Sequence, residues 1–364
     1  MMRDDVGDLA FRSLDSLEGA PDRTGGAPGP RESLLAKARR YAPGVIIAGL
    51  VALAAQWLSE HYKAPVMLFA LLLGMAVNFT GDDPRCRPGI DFAARQILRI
   101  GVALLGMRIT FDQVRSVGAG ALSLTAVAVV LTILVGWLMA RSMKLRGPLG
   151  ILMGGAVAIC GASAALAIAS VLPRSKTHER DVVLTVVGVT TLSTVAMIVY
   201  PTVAAMLHFS ASASGMFFGA TIHDVAQVVG AGYSVSPEAG DTATIVKLFR
   251  VALLLPAVVI ISLIYRGSAE PNAKRPPLIP VFLIAFAALV AINSTGVIGA
   301  WIRDPLQDAS RWCLVTAIAA LGAKTALGDL AKVGWRPILV LVGTTLFVAV
   351  FILAGLVLLG GWPP

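Results

Sequence analysis

Residues 219–234 read GATIHDVAQVVGAGYS, and the reading of this stretch decides the fold. It is apolar and glycine-rich like a membrane-spanning segment, yet it sets His223 beside Asp224. A charged side chain at the centre of a bilayer costs about 3 kcal/mol or more, so such a pair is expected to face a cavity. Gly215, Gly219, Gly230 and Gly232 surround the pair. Glycine lets the backbone leave helical geometry, and unwound backbone at membrane depth survives only where it lines a cavity. Gln227 lies one helical turn beyond His223, so a helix here would carry a polar face through His223, Asp224 and Gln227. That face is a candidate site for a substrate, a coupling proton or Na+. The competing readings are small residues for close helix packing and a polar cluster that joins two helices.

The surroundings support a membrane setting. Of the 364 residues 57% are hydrophobic and 14% charged, against roughly 25% charged in soluble domains. Eleven hydrophobic segments follow one another, at roughly 43–60, 65–80, 96–111, 118–140, 148–172, 183–207, 214–235, 243–265, 278–298, 308–328 and 336–361. Most are long enough to cross ~30 Å of hydrocarbon as helices, and the short alternating segments of a barrel are not seen. The expected fold is an all-α polytopic membrane protein. Residues 1–42 are polar and read as a mobile cytoplasmic tail, with a short helix around residues 32–40 and no signal peptide, the leading region being too long and acidic. The net charge of +9 comes from residues between the apolar runs and in this tail, which signals topology rather than a nucleic-acid partner. Cys86, Cys160 and Cys313 are scattered and form no CxxC pair, so no metal site or disulfide framework is expected.

Basic residues set the orientation. Seven Lys/Arg precede the first segment, and Arg141, Lys144, Arg146, Arg266, Lys274, Arg275, Lys332 and Arg336 mark further cytoplasmic loops. The N-terminus is then inside and the C-terminus outside. Arg174, Lys176 and Arg180 object, because simple alternation puts their loop outside. The conflict vanishes if segments five and seven are re-entrant hairpins; the alternative is that both cross as broken helices and one loop violates the rule.

The chain also repeats itself. PVMLFALLLGMAVNFTG (65–81) and PVFLIAFAALVAINSTG (280–296) share eight of seventeen positions, Asn78 and Asn293 among them. Residues 103–118 and 319–334 share five and set Arg108 opposite Lys324. The shift of seven segments is odd, which makes the halves (about 43–172 and 243–361, joined by 173–242) an inverted repeat, the architecture of alternating-access transporters. Segments five and seven have no partner under this shift.

Further candidates lie in segments five and eight. GILMGGAVAICGASAALAIAS (150–170) has glycines around Cys160 and ahead of Ser163. A half-helix starting at Gly161 and Ala162 would offer free N–H groups to an anion. Lys247 and Arg250 share one helix face and could neutralise a divalent anion; Asn78 and Asn293 could cap or coordinate. Arg99, Arg108, Arg311 and Lys324 read as snorkelling residues. No GxSxG, HExxH or Walker motif occurs, so a transporter or channel is expected rather than an enzyme.

The motifs LRIGVALLGMRITF, GGAVAICGASAALA, GATIHDVAQVVGAGYS, TIVKLFRVALLLP and AIAALGAKTALGDL resemble the YeiH-like family of bacterial inner-membrane proteins, to which sulfate export is ascribed. His223, Asp224, Ala226 and Gln227 match one family core, and Cys160, Gly161 and Ala162 another. The resemblance covers about residues 40–361. It implies an inner-membrane secondary transporter exporting a small anion, with inverted repeats and broken helices and a possible homodimer. Substrate would lie between segments five and seven, at backbone N–H groups, Ser163 and Gln227, with His223 and Asp224 carrying a proton or Na+. The alternatives are a cation/proton antiporter using Asp224 and an anion channel or scaffold.

Overall fold

The computed structural model describes residues 34–62, 65–173, 177–265, 281–324 and 335–358, the side chains of 34–37 and 179 excepted. Most of the tail, the basic loop 266–280, Arg174, Lys176 and the second half of the shorter repeat (325–334) lie outside the described residues. Every described element is helical. Those of seven residues or more are, in chain order, α1 (Leu34–Tyr62), α2 (Val66–Ala76), α3 (Leu98–Leu104), α4 (Gly118–Ser142), α5 (Gly147–Ala158), α6 (Ala162–Ala169), α7 (His178–Met206), α8 (Ala211–Thr221), α9 (Val225–Val235), α10 (Pro237–Ala252), α11 (Leu254–Ile264), α12 (Val281–Ser294), α13 (Ala300–Lys324) and α14 (Trp335–Leu358). The short helix expected near residues 32–40 is the start of α1, which begins at Leu34 rather than at 43.

Among the described residues, five stretches are long and apolar enough to cross a membrane: Ala38–Tyr62, Gly118–Ser142, Arg180–Met206, Pro237–Ile264 and Trp335–Leu358. The third expected segment is extended backwards: a short helix at Arg87–Phe92 and a π-turn at Ala93–Ile97 precede α3, and Lys324 Nζ of α13 meets Asp91 Oδ1 at 2.6 Å. Lys324 is therefore ion-paired rather than snorkelling alone. Outward faces carry apolar stripes at helical spacing, such as Ile46, Leu50, Leu53 and Trp57 on α1, each more than half exposed, as lipid contact requires.

Segment five is a hairpin. Gly155 on α5 abuts the Ile168 side chain on α6, a pair that a continuous rod would hold about 20 Å apart. Its flanks also return to one place: Arg146, just before α5, ion-pairs with Asp181 in the first turn of α7 and donates to the Thr177 hydroxyl. Segment seven is a second hairpin. Gly215 and Gly219 on α8 lie over Ala239 and Ala243 of α10 in parallel order, whereas Gly232 on α9 folds back onto Gly240 and Ala239. Because α7 runs the whole length between them, the hairpins enter from opposite ends of the bundle. Helix α5 is about 18 Å long and α8 about 16 Å, so together they match ~30 Å of hydrocarbon and their tips meet near its middle.

The helices form two packed groups. One contains α1, α2, α3, α12 and α13; the other contains α4 and both hairpins with α7, α10 and α14. In the first group α2 lies on α13 while α12 lies on α3, the reciprocal pairing that two-fold-related repeats give. The α2–α13 contact requires small residues: a Cβ at Gly74 would stand 2.3 Å from Ala319 O, and one at Gly322 2.4 Å from Leu71 O. The groups are tied at one end by Arg108, whose Nε meets Asp241 Oδ1 at 3.0 Å beneath the Tyr233 ring. Arg108 too is ion-paired, across the group boundary.

Candidate functional site

The site is where the two hairpin tips touch. Tip one is Ile159–Cys160–Gly161 and tip two is Ile222–His223–Asp224. Gly161 has φ +66° and ψ −121°, a conformation disfavoured for residues with a Cβ, and a Cβ built there would stand 3.8 Å from His223 atoms. His223 is fully buried and latches the tips: Nδ1 lies 3.1 Å from Val157 O and Nε2 3.0 Å from Thr345 Oγ1 on α14. A carbonyl only accepts, so Nδ1 carries the proton and Nε2 accepts from the threonine. The neutral ring satisfies both bonds. His223 is thereby a joint between the hairpins and α14, with both ring nitrogens engaged by protein partners.

Lys247 and Arg250 also reach the tips, but not as expected. Lys247 Nζ donates to Ile159 O (2.6 Å), Ile222 O (3.0 Å) and His223 O. Arg250 Nε donates to Ala158 O (2.8 Å), Nη1 to Gly219 O and Ile222 O (3.1 Å each), and Nη2 to Val157 O (2.9 Å) and Ala158 O (2.6 Å). A guanidinium has five N–H donors and an ammonium three, so both side chains are saturated by backbone carbonyls. These carbonyls are the orphan groups at the C-termini of α5 and α8, which helix geometry leaves without partners. At 0% and 1% exposure the two cations clasp half-helices and leave no donor for an anion, which corrects their assignment to substrate.

The N-terminal ends of the other half-helices differ. Asp224 caps α9, its Oδ1 accepting from Ala226 N at 2.8 Å, while its own N–H donates to Ser193 Oγ on α7 (3.0 Å). Helix α6 has no side-chain cap at Gly161, and Ala162 and Ser163 in its first turn are half-buried, as are Asp224 and Val225 opposite. Ser163 Oγ lies 2.8 Å from Cys160 Sγ. Each C-terminus carries roughly −0.5 charge and Asp224 a full one, which together nearly offset Lys247 and Arg250.

Asn78 and Asn293 do not join this site. Asn78 is exposed after α2, and Asn293 Nδ2 donates to Ile109 O at 3.1 Å, holding the turn before residue 111. The sequence reading missed the hydroxyls Thr190, Thr191, Ser193 and Thr194 on α7, four within five residues of an apolar helix, and Thr345 on α14. That density of hydroxyls in TTLST was the available signal. Separately, a cleft of about 310 Å³ opens at the end where Arg146 and Asp181 meet, lined by Arg180, Trp335 and Arg336 with Leu149 and Met153 of α5; it holds no tip residue.

Fold and site together define a multi-pass helical membrane protein with two opposed re-entrant hairpins. The chain belongs to the family described as Conserved hypothetical protein 698, which matches residues 43–341. It is 52% identical to a UPF0324 membrane protein of Chlorobaculum tepidum over 87% of this chain and 90% of that one. It is also 52% identical to the UPF0324 membrane protein TauZ of Paracoccus pantotrophus, over 87% of this chain and 95% of the relative. A Yersinia pestis UPF0324 membrane protein is 32% identical over 85% and 90% of the two chains. This family agrees with the YeiH-like resemblance carried by the hairpin motifs.

Proposed function

We propose that the protein is a secondary transporter that moves a small anion across the bacterial inner membrane by alternating access, with the tip junction as its binding site. The observation that supports this most is the uncapped N-terminus of α6, half-buried at mid-depth between two clasped hairpins. Free N–H groups at a helix start bind anions, and Ser163 adds a hydroxyl. Sulfate is the anion the family resemblance names. With Asp224 ionised the site is close to neutral; with that charge cancelled by a proton or cation it is net positive and favours the anion. A divalent anion with one monovalent cation keeps one negative charge, and an inside-negative potential favours its exit by ~2.3 kcal/mol per 100 mV.

The orientation we propose puts the end that holds Arg146, Arg180 and Arg336 in the cytoplasm. Two hairpins and nine crossings then leave the N-terminus inside and the C-terminus outside. Single cysteines at Thr177 and Ser212, both exposed and at opposite ends, check it in a background without Cys86, Cys160 and Cys313. A membrane-impermeant maleimide on intact cells should label Ser212→Cys and spare Thr177→Cys; labelling of Thr177→Cys would reject this topology.

Proteoliposomes test the transport reading. Radiolabelled sulfate, with chloride and acetate as comparisons, should move at a rate that responds to an imposed pH or Na+ gradient and saturates with anion. Proton movement without any anion would instead support the alternative of cation/proton antiport on Asp224. Currents far above carrier turnover would support a channel.

A further inference from the structure

We propose that the junction of α7 with the first turn of α9 is a monovalent-cation site suited to Na+, built from Gln227 Oε1, the Asp224 carboxylate and Ser193 Oγ. The inference names the coupling ion for the transport reading above, and rests on that reading for its purpose though not for its geometry.

Gln227 is fully buried and its Oε1 has no hydrogen-bond partner. The amide cannot simply be turned over to remove the fault. Its Nε2 donates to Thr194 Oγ1 at 2.8 Å, and the Thr194 proton is already committed to Thr190 O at 3.1 Å. Thr194 can only accept from Gln227, so the group facing it must be the NH2 and the orphan must be the oxygen. A buried acceptor without a partner costs about 1–3 kcal/mol, a cost that a cation would remove.

The local sequence makes the unpartnered oxygen more telling. Asp224 is the N-cap of α9 and Gln227 its third residue, the spacing of a capping box. In a closed box the Gln oxygen accepts from the N-cap N–H. The same chain has one: at Thr110–Gln113, Thr110 N donates to Gln113 Oε1 at 2.9 Å and Gln113 N to Thr110 Oγ1. At Asp224 the box is open, because Ser193 Oγ on α7 takes the Asp224 N–H instead and frees the Gln227 oxygen. The amide oxygen of Gln227, the hydroxyl of Ser193 and the carboxylate of Asp224 thus belong to residues that the α7–α9 hydrogen bonds tie together, and all three are oxygen ligands. Oxygen-only donors of this kind suit hard cations, and one carboxylate suits a single positive charge. The carboxylate and the amide oxygen repel an anion, so this junction complements the α6 terminus rather than competing with it. Cation and anion binding should therefore strengthen each other.

Radioactive Na+ binding to the purified full chain in choline chloride, by scintillation proximity, tests the site. Wild type should bind Na+ saturably, with competition by cold Na+ and little by choline. Gln227→Leu should weaken binding by ~10- to 100-fold, while Gln227→Glu, which keeps an oxygen in place, should retain it. Gln113→Leu, which opens the box remote from the first turn of α9, should bind like wild type. No saturable Na+ binding by wild type would mean that a buried water meets Oε1 and would overturn the proposal, as would wild-type affinity in a monodisperse Gln227→Leu protein. Sulfate flux measured on the same preparation separates the two readings. Flux without Na+ binding removes the cation site alone, and Na+ binding without flux of any anion removes the transport reading alone.

Discussion

Arg250→Met is expected to destabilise the protein by about 3–5 kcal/mol, the cost of breaking a buried charged network by removing one partner. The arginine bonds four carbonyls from two half-helices, with Ala158 O engaged twice. Without it only Lys247 and His223 still donate to the C-termini of α5 and α8, the carbonyls of Ala158 and Gly219 lose their donor, and the partial negative charges repel more strongly. Arg250→Lys should recover only part of the loss, since three rotating donors cannot reproduce a planar fork of five. Thermal unfolding in detergent, followed by tryptophan fluorescence and by loss of monodispersity, reads both variants. A substrate-binding arginine would behave in the opposite way, with near-native stability and weakened anion affinity. An unchanged unfolding temperature for Arg250→Met would therefore restore the anion-ligand assignment.

That contrast also shows where the sequence was legible. The hairpins were readable because two independent signals converged on them. Glycines around His223–Asp224 and around Cys160 allowed a backbone break, and the basic loop near Arg180 could not be reconciled with simple crossings. Tip two was found because an ionisable pair in an apolar run is conspicuous. The clasp was not readable, because a lysine and an arginine three residues apart look the same whether they face an anion or carbonyls. Backbone carbonyls are anonymous in a sequence, and only the fold brings residues 157–159, 219 and 222–223 around one helix face.

The asparagines misled for a different reason. An inverted repeat carries equivalent residues to opposite ends of the bundle unless they lie at its middle. Asn78 after α2 and Asn293 at the end of α12 are terminal in both copies, so their equivalence argues for matching turns rather than for one shared site. The hairpins lacked a repeat partner because they face each other across the junction. Hairpin one packs on the helix before it, α4, and hairpin two on the helix after it, α10, so the chain order is reversed and a colinear comparison passes over it.

Asp224→Asn is the variant with the largest expected effect on transport. Asparagine is as good an N-cap as aspartate, so the cap on α9 and the fold should persist while one negative charge disappears. The site loses the group that offsets Lys247 and Arg250 and becomes permanently cationic. At an effective dielectric near 20, one unit charge several ångströms away is worth a few kcal/mol, so anion affinity without added cation should rise on the order of tenfold or more. It should also lose its dependence on pH and Na+. Flux driven by a pH or Na+ gradient should fall to the level of empty liposomes, because no carboxylate remains to take up a proton or to balance the charge of a bound cation. Equilibrium sulfate binding and gradient-driven uptake, measured side by side, separate this outcome from misfolding, in which both would vanish together. Binding that keeps its pH or Na+ dependence in Asp224→Asn would move the coupling function elsewhere and leave Asp224 as a helix cap alone.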